Sequence, residues 1–588
     1  MARNKYDIDE ELESPFDISH LKRCGIYIKK YLRYMVLSIF LSSVAMISTL
    51  TVPQRVRDVI DIGIPAGDKD YIIRAAIMML IAIAIFIVFT RIRFRIMAWV
   101  GQNIIADIRT DVFVHLQKLS FNYFDSRPHG KILVRVVQYV NNVSNMLSNG
   151  LIDFFLDLLN IIFITFFMFF TNVRLSLLIL AGLPVFLIIM AIISPIQRRA
   201  WQSYSNKNSN LVSYVQENIN GVKVTQIFTR EPFNNSIFAK LCLASKKAWM
   251  TAVLSSNVSW CAADVLSCLV SASIYGVAIL VAAPPFTYGV ISAMTAYCWR
   301  FWQPIINISR LYNDLINTVA YLERIFELID ENVEIEDAED AEVLPKIIGE
   351  VTFDDVVFEY EKDHPILENL NFNIRPGERI ALVGPTGAGK TTVVNLISRF
   401  YDLHSGKVLI DGHDISKVTL HSLRSQMGIM LQDSFVFSGT IADNIRYGKL
   451  DATLDEIKKA CATVRADEFI ESLPQKYDTY LEEGGSNLSQ GQKQLISFAR
   501  TLIADPKILI LDEATSSIDT KTEKLLQEGL QRLLENRTSF VIAHRLSTIK
   551  SCDRIMYVDD RNIVEQGSHD ELLEKKGAYY NLYMAQHV

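Results

Sequence analysis

The stretch "ERIALVGPTGAGKTTVVNLISRF", residues 378–400, contains three local patterns in the order strand, turn and helix. The apolar run 380–383 is typical of a buried strand, and the amphipathic run after the turn is typical of a helix. Between them, Gly384 to Thr391 match GxxxxGK[ST], in which the glycines let successive backbone N–H groups surround phosphate oxygens. The stretch therefore predicts a phosphate-binding loop in an α/β domain.

The loop residues have different predicted roles. Lys390 can reach the outer phosphates of a nucleotide, and the Thr391 hydroxyl can serve as a ligand of Mg²⁺. ATP and Mg²⁺ are accordingly the predicted cofactors. The predicted nucleotide-contacting residues of the loop are Gly384, Pro385, Thr386, Gly387, Ala388, Gly389, Lys390, Thr391 and Thr392.

Two further stretches supply acidic and basic groups for the same site. "KILILDEATSSID", residues 507–519, reads as a buried parallel strand that ends at Asp512 and Glu513. Ligands in α/β sheets bind at the carboxyl ends of strands, so Asp512 is predicted to hold the metal and Glu513 to polarise the attacking water. "TSFVIAH" (538–544) predicts another core strand ending at His544, the second candidate catalytic residue.

The first half of the chain is strongly apolar in long runs. About 20 largely apolar residues are needed to cross a bilayer as a helix. Six stretches meet or approach that length, and they predict an α-helical polytopic membrane domain ahead of an α/β P-loop ATPase domain. The predicted transmembrane helices cover residues 34–52, 72–89, 151–170, 175–193, 259–283 and 288–308.

Positive charges predict the orientation of these helices. Arginine and lysine are concentrated between the second and third spans and between the fourth and fifth, and positive residues stay on the cytoplasmic side. We expect a multi-pass protein of the cytoplasmic membrane with both termini and the ATPase domain in the cytoplasm, and with helices that extend far beyond the bilayer. The predicted domains are residues 1–329 and 347–588, joined by a loosely ordered acidic linker at 330–346.

Composition excludes several other classes. A formal net charge of −6 argues against a nucleic-acid-binding protein, which needs a basic face. The 7 cysteines are scattered without CxxC spacing, so neither a disulfide framework nor a zinc site is expected. The six apolar stretches exclude a soluble P-loop ATPase. A channel that uses ATP only as a gate is disfavoured because Glu513 and His544 are both present.

With these motifs in place, the whole chain resembles the ATP-binding cassette (ABC) family, and in particular its exporter-type half-transporters. Tyr360, in "VVFEY", resembles the aromatic residue that stacks on adenine. Gln432, in "IMLQD", resembles the residue that links the metal site to the membrane domain, and 516–519 resemble the D-loop. "LSQGQ" (488–492) occupies the position of the family signature, which is usually LSGGQ. An importer is disfavoured, because importers usually carry membrane and ATPase parts on separate chains.

The resemblance implies a dimer of half-transporters working by alternating access. The signature residues Ser489, Gly491 and Gln492 would contact ATP held by the P-loop of a second chain, while Gln432 joins Thr391 and Asp512 around the metal. Gln490 replaces the first signature glycine and adds a side chain near the phosphate. A heterodimer with one degenerate ATP site and a homodimer that tolerates glutamine both remain open. The two predicted coupling segments lie near 120–133, with Tyr123 and Phe124, and near 224–233, with Phe228.

The cargo is predicted to be an amphipathic small molecule, drug-like or lipid-like. A homodimeric lipid flippase or a peptide exporter is the alternative. Asp157, Asp264 and Arg300 lie at similar depth within their spans and are expected to form one polar layer, with Asp264 pairing with Arg300. A structural ion pair or a cytoplasmic helix extension is the competing interpretation of these charges. Trp260, Trp299, Tyr297 and Phe301 are expected to line an aromatic cavity.

Overall fold

The fold is described from a computed structural model of the chain, which divides into two compact units. The helical unit comprises Met1–Gln117 with Pro128–Glu331, and the sheet unit comprises Lys118–Arg127 with Asn332–Val588. The residues that the structure describes are 19–125, 127, 129–146, 150–281, 286–361, 364–430, 434–512, 520–543 and 546–587.

Long helices make up the helical unit, because long apolar runs can satisfy their backbone polar groups in a membrane only within a helix. Helices α2 and α4 have 48 residues each, or about 72 Å at 1.5 Å per residue, far more than the ~30 Å hydrocarbon core. The predicted extension beyond the bilayer is therefore confirmed. The six long helices are α1 Ser19–Asp58, α2 Lys69–Leu116, α3 Leu151–Thr171, α4 Val173–Asn220, α5 Glu231–Val281 and α6 Tyr288–Ile329.

Five helical segments of the described chain are long and apolar enough to cross a membrane. They run over Lys22–Ala66, Lys69–Leu116, Ile152–Thr171, Val173–Asn220 and Glu231–Ile279. The sixth predicted span lies in α6, which does not meet that criterion and stays a prediction. α6 nevertheless shares the apolar core of the unit, where Tyr297 and Trp302 are at most 1% exposed.

The sequence predicted the junction between α3 and α4 correctly but placed the end of α1 too early. The first span was expected to end at Pro53, but α1 continues to Asp58 and is followed by a π-helical turn, Val59–Gly63. Proline is tolerated inside membrane helices because neighbouring helices and local turns satisfy the freed backbone groups. The tight hairpin between α3 and α4 is confirmed: Asn172 alone joins them, and its side chain caps α4 by accepting from the Leu175 N–H at 3.1 Å.

The sheet unit is built on a six-stranded sheet in the order β12-β11-β3-β10-β9-β6, in which only the β11–β12 pair is antiparallel. A four-stranded antiparallel sheet, β2-β1-β4-β5, and a two-stranded sheet, β7-β8, complete the strands of the described chain. The strands are β1 Val351–Glu361, β2 His364–Ile374, β3 Arg379–Val383, β4 Ser405–Ile410, β5 His413–Asp414, β6 Met427–Met430, β7 Gly439–Thr440, β8 Tyr480–Leu481, β9 Ile508–Asp512, β10 Thr538–Ile542, β11 Arg554–Asp559 and β12 Asn562–Gly567.

Helices cover the central sheet, and apolar cores lie on both of its faces. β3, β9 and β10 are therefore almost continuously buried, as the apolar runs of the sequence predicted. The helices of this unit are α7 Lys390–Ile397, α8 Leu420–Arg424, α9 Ile441–Arg446, α10 Leu454–Thr463, α11 Asp467–Ser472, α12 Gln490–Ile503, α13 Thr520–Leu534, α14 Leu546–Lys550, α15 His569–Lys575 and α16 Ala578–His587.

The acidic stretch 330–346 is not loosely ordered as predicted. Leu344 is only 3% exposed, and its N–H donates to the Ser422 hydroxyl at 2.9 Å. Asp337 accepts a 2.7 Å hydrogen bond from the Leu420 N–H at the start of α8. One carboxylate of the stretch that suggested a solvated linker thus accepts from a backbone donor, and Ile335 and Leu344 are buried.

Candidate nucleotide-binding site

The predicted phosphate loop joins β3 to α7 as expected. Gly384, Gly387 and Gly389 have φ values of 146°, 86° and 99°, which lie in the region that favours glycine. A Cβ on Gly384 would also lie 2.1 Å from the Val558 carbonyl oxygen. The loop conformation therefore requires glycine at these positions, and residues Pro385 to Gly387 are exposed at its tip.

Lys390 is turned into this loop. Its ammonium group donates to the carbonyl oxygens of Gly384 at 2.8 Å and Pro385 at 2.7 Å. Burial lowers the pKa of Lys390, and the nearby charge of Asp512 acts in the opposite direction. The partly buried Lys390 ammonium, with the two carbonyl groups and Asp512 near it, is therefore positioned to bind an anion such as phosphate at the loop.

Strand register brings Asp512 to the same edge of the sheet. Asp512 on β9 is opposite Ile542 on β10, and Ile542 is opposite Leu382 on β3, just before the loop. Because strands lie about 4.8 Å apart, β9 and β3 are separated by about 10 Å. The Asp512 carboxylate and the exposed Thr391 hydroxyl are oxygen donors, which suit a hard cation such as Mg²⁺ that takes its other ligands from phosphates and water.

Several predicted site residues lie outside the described residues. These are Gln432, the D-loop 516–519 and both candidate catalytic residues, Glu513 and His544. Their roles remain predictions. The described strands that precede them do end beside the loop edge of the sheet, since β9 ends at Asp512 and β10 at Ile542.

Tyr360, the predicted adenine-stacking residue, is 43% exposed at the end of β1. Its hydroxyl lies 3.1 Å from the hydroxyl of Thr392, in the first turn of α7. The edge of its ring is packed against Phe358, at 4.8 Å, and Tyr401, at 5.1 Å. Tyr360 is thus close to the phosphate loop and held in orientation, with part of its ring open to solvent.

The signature stretch begins α12, with Ser489 as its N-cap residue. Ser489 and Gln492 form a capping box: Ser489 N–H donates to Gln492 Oε1 at 2.9 Å, and Gln492 N–H donates to Ser489 Oγ at 3.3 Å. Gly491 is buried, whereas Ser489 and Gln490 are exposed. The helix N-terminus, which attracts anions, is therefore presented to solvent.

The structure adds a third aromatic ring to the two that were predicted for the first coupling segment. Tyr123 is 4% exposed and lies under the Arg127 guanidinium, and Phe124 packs on Tyr123. Phe121, which the prediction did not name, packs on Phe400 with ring centroids 4.4 Å apart. The predicted placement of Tyr123 and Phe124 near Gln432 stays a prediction, because Gln432 lies outside the described residues. Hydropathy alone does not distinguish three aromatic residues within four positions. In the second segment, Phe228 is 66% exposed.

The helical unit contains a cavity of about 770 Å³ between α1, α2, α3 and α6. Asp157 and Arg300 line it as predicted, but Asp264 does not. The predicted Asp264–Arg300 pair is wrong, since Arg300 donates to the Thr49 carbonyl oxygen at 3.1 Å and Asp264 is exposed on α5.

Aromatic residues near this cavity also differ from expectation. Trp299 lines it, but Tyr297 and Phe301 are fully buried in the core, and Trp260 is 43% exposed on α5. Sequence reasoning missed the ion pair of the wall, formed by Arg93 and Asp153 at 3.2 Å. The period of 3.6 residues separates faces of one helix but does not show which neighbour each face meets.

The chain matches known proteins along most of its length. Residues 35–302 match the family model described as the ABC transporter transmembrane region, and residues 367–516 match the one described as ABC transporter. It is 39% identical to the uncharacterized ABC transporter ATP-binding protein YknV of Bacillus subtilis (strain 168), over 100% of this chain and 98% of the relative. It is 37% identical to a fatty acid ABC transporter ATP-binding/permease protein of Mycobacterium bovis, over 82% of this chain and 76% of the relative.

A solved structure agrees with both sequence comparisons. A bacterial Atm1-family ABC exporter with ATP bound superposes with a TM-score of 0.78 at 28% identity, covering 95% of this chain and 99% of that one. The predicted fold class, a helical membrane domain followed by an ATPase domain, is confirmed.

Proposed function

The chain belongs to the ABC transporter family, as an ATP-binding exporter of the lipid or drug type, and from this premise we propose that it works as half of a dimer. Two chains clamp two ATP molecules, and hydrolysis drives an amphipathic small molecule out across the cytoplasmic membrane by alternating access. Both chain termini and the sheet unit lie in the cytoplasm in this proposal, on the side where the arginine- and lysine-rich segments are.

The observation that carries the proposal is that both halves of a nucleotide site face solvent. Pro385 to Gly387 are exposed at the phosphate loop, and Ser489 and Gln490 are exposed at the start of α12. An ATP bound at the loop would leave one side of its phosphates uncovered. The α12 N-terminus of a second chain has the backbone dipole and the hydroxyl that suit that side.

The second cytoplasmic turn supports a dimer independently. The helix Val222–Ile227 and the following residue expose apolar side chains: Val224 by 59%, Ile227 by 76% and Phe228 by 66%. A contiguous apolar patch beyond the membrane end of a helix pair is typical of an interaction surface. We propose that it docks on the sheet unit of the partner chain.

An aromatic cluster of the sheet unit fits as the acceptor. Phe435 and Phe437 are 61% and 42% exposed, and Phe437 stacks on Tyr447 at 4.8 Å. Arg500 fixes the backbone of this cluster: its guanidinium donates to the Phe435 carbonyl oxygen at 2.9 Å and to Asn444 Oδ1 at 2.9 Å. Exposed rings on a rigid base are suited to bury another aromatic side chain.

Within the nucleotide site, the chain's own residues have separable tasks. Tyr360 would stack on the base, and Lys390 and the loop amides would hold the phosphates. Thr391, Asp512 and Gln432 would hold Mg²⁺, which would neutralise phosphate charge. Glu513 orients and polarises the attacking water, and His544 contacts the terminal phosphate. Ser489, Gly491 and Gln492 serve the partner's ATP. Gln490 leaves both a homodimer and a heterodimer with one weak site compatible with this scheme.

The cavity of the helical unit supports an amphipathic cargo. Phe86, Phe94 and Trp299 supply apolar surface, while Arg93 and Asp157 supply charge on the same lining. A volume of about 770 Å³ lies in the range of small-molecule sites. The fatty acid transporter among the relatives makes a long-chain fatty acid a suitable first probe.

The test is ATP-dependent uptake into inside-out membrane vesicles, with a labelled long-chain fatty acid and a fluorescent amphipathic dye as probes. Removing the water-polarising carboxylate by Glu513→Gln should lower ATP hydrolysis and uptake by at least about 100-fold. ATP binding should be retained, which a Lys390→Ala control should lose. Uptake that persists at the wild-type rate in the Glu513→Gln variant would contradict the proposal.

A further inference from the structure

The first cytoplasmic segment, Lys118–Arg127, belongs to the sheet unit although it directly continues α2 of the helical unit. Its first half is fastened by Glu334, which accepts from the Ser120 hydroxyl at 2.7 Å and the Asn122 amide at 3.3 Å. Phe121 packs on Phe400. These contacts hold the segment in place but do not reach the nucleotide site.

The far end of the segment makes a different kind of contact. The Tyr401 hydroxyl donates to Asp125 Oδ2 at 3.1 Å. Burial and the Asp125 carboxylate raise the pKa of Tyr401, so its hydroxyl stays a protonated donor at neutral pH. Tyr401 follows shortly after α7, the helix whose first turn carries the phosphate-loop lysine.

Tyr401 also contacts the adenine-stacking candidate. Its ring stands at 89° to that of Tyr360, with ring centroids 5.1 Å apart. The Tyr360 hydroxyl reaches Thr392. A continuous series of contacts therefore runs from Thr392 through Tyr360 and Tyr401 to Asp125, and we call these four residues the tyrosine relay.

We propose that the tyrosine relay reports the presence of a nucleotide base to the first cytoplasmic segment, with Tyr401 as the positioning residue. A base stacked on the open part of the Tyr360 ring restricts that ring, and edge-to-face packing transmits its orientation to Tyr401. The reoriented Tyr401 then strengthens the hydrogen bond that its hydroxyl already donates to Asp125. The inference rests on the proposed function, because it assigns the base to Tyr360.

In this proposal, ATP acts on the sheet unit in two ways, through its phosphates and through its base. Phosphates act at Lys390 and at the start of α7, whereas the base acts at Tyr360. Inorganic tripolyphosphate carries the first signal without the second. It should therefore occupy the phosphate loop and leave the cytoplasmic segment unchanged.

The experiment measures hydrogen exchange of the full-length protein in nanodiscs, in the Glu513→Gln background so that ATP persists. With Mg²⁺ present, saturating ATP should slow exchange in peptides covering 118–127 by at least about threefold, the effect of strengthening one hydrogen bond. Saturating tripolyphosphate should leave that rate at its ligand-free value. Protection of a peptide covering 384–392 verifies that each ligand has bound.

Variants then isolate Tyr401. Tyr401→Phe keeps the ring contact with Tyr360 and removes the hydroxyl, so the ATP response at 118–127 should disappear, while a peptide covering 486–494 still responds to closure of the dimer. Tyr580→Phe is the matched control: Tyr580 lies on α16 and makes none of the relay contacts, so removing its hydroxyl should preserve the response.

Two results would overturn the relay: an equal response to ATP and tripolyphosphate, or a wild-type response in Tyr401→Phe. Neither depends on transport. If the uptake assay fails while these exchange patterns hold, the proposed export is wrong, whereas the assignment of the base to Tyr360 and the relay that rests on it both stand. If uptake is ATP-dependent but the exchange patterns are not observed, only the relay is wrong.

Discussion

The two predicted coupling segments, here called the first turn (118–127) and the second turn (222–228), differ sharply in their surroundings. In the first, Tyr123 is 4% exposed and the segment packs on the sheet unit of its own chain. In the second, Phe228 is 66% exposed, and its apolar neighbours are equally open. The first segment therefore makes its contacts within one chain, whereas the exposed apolar side chains of the second are those that the proposed dimer would cover.

The largest expected effect comes from placing a charge in the second turn. In Phe228→Glu, burying a carboxylate against the partner should cost at least about 2 kcal/mol of docking, or about a thirtyfold weaker contact. ATP-dependent uptake should fall by at least about tenfold, while the melting temperature of the protein stays unchanged because the side chain is exposed within one chain.

The control for this variant is Val343→Glu, which puts the same charge on a side chain that is 75% exposed on the sheet unit. It should transport like the wild type. If Phe228→Glu also transports normally, the second turn is not a docking surface, and the contrast between the turns has no functional meaning.

A smaller effect is expected in the first turn. Phe121→Ala removes the ring that packs on Phe400, and because Phe121 is itself 43% exposed, the loss should be only about 1 kcal/mol. Hydrogen exchange in 118–127 should rise about fivefold, without a change in exchange at 222–228. Equal changes in both turns would mean that the first turn is not held independently by its own chain.

The smallest effect is expected at the end of the same turn. Arg127 lies 4.2 Å from the Tyr123 ring centroid, and a cation–π contact of this kind contributes about 0.5 kcal/mol. Arg127→Gln should therefore lower the thermal midpoint of the sheet unit by at most about 2 °C, measured by intrinsic fluorescence. Arg127→Lys should keep most of that stability. A drop of many degrees in Arg127→Gln would show that the turn depends on this residue and not on Phe121.

Much of the candidate site was predictable because it depends on neighbours in the sequence. The phosphate loop needs glycine at Gly384, Gly387 and Gly389 and a lysine directly after them, and the Ser489 capping box spans four consecutive residues. Local hydrogen bonds and backbone angles of this kind are set by residue type at fixed spacing.

Residues whose role depends on distant contacts were predicted less well. Arg300 was assigned to Asp264 because both lie deep in their spans, yet it reaches the Thr49 carbonyl on α1. Phe121, which packs on Phe400, was not named among the aromatic residues of its segment. The acidic stretch around Asp337 was predicted to be a loose linker, yet Asp337 accepts a hydrogen bond from the first backbone N–H of α8. In each case the partner lies more than 80 residues away, and spacing carries no information about it.

Sequence alone determined the class of protein, the long helices and the chemistry of the phosphate loop, because apolar length and glycine spacing act through the nearest residues. Tertiary structure decided which aromatic ring meets Phe400, which turn is covered, and how Thr392, Tyr360, Tyr401 and Asp125 come into one line of contact. Those arrangements depend on packing between segments far apart in the chain, where shape and not composition selects the neighbour.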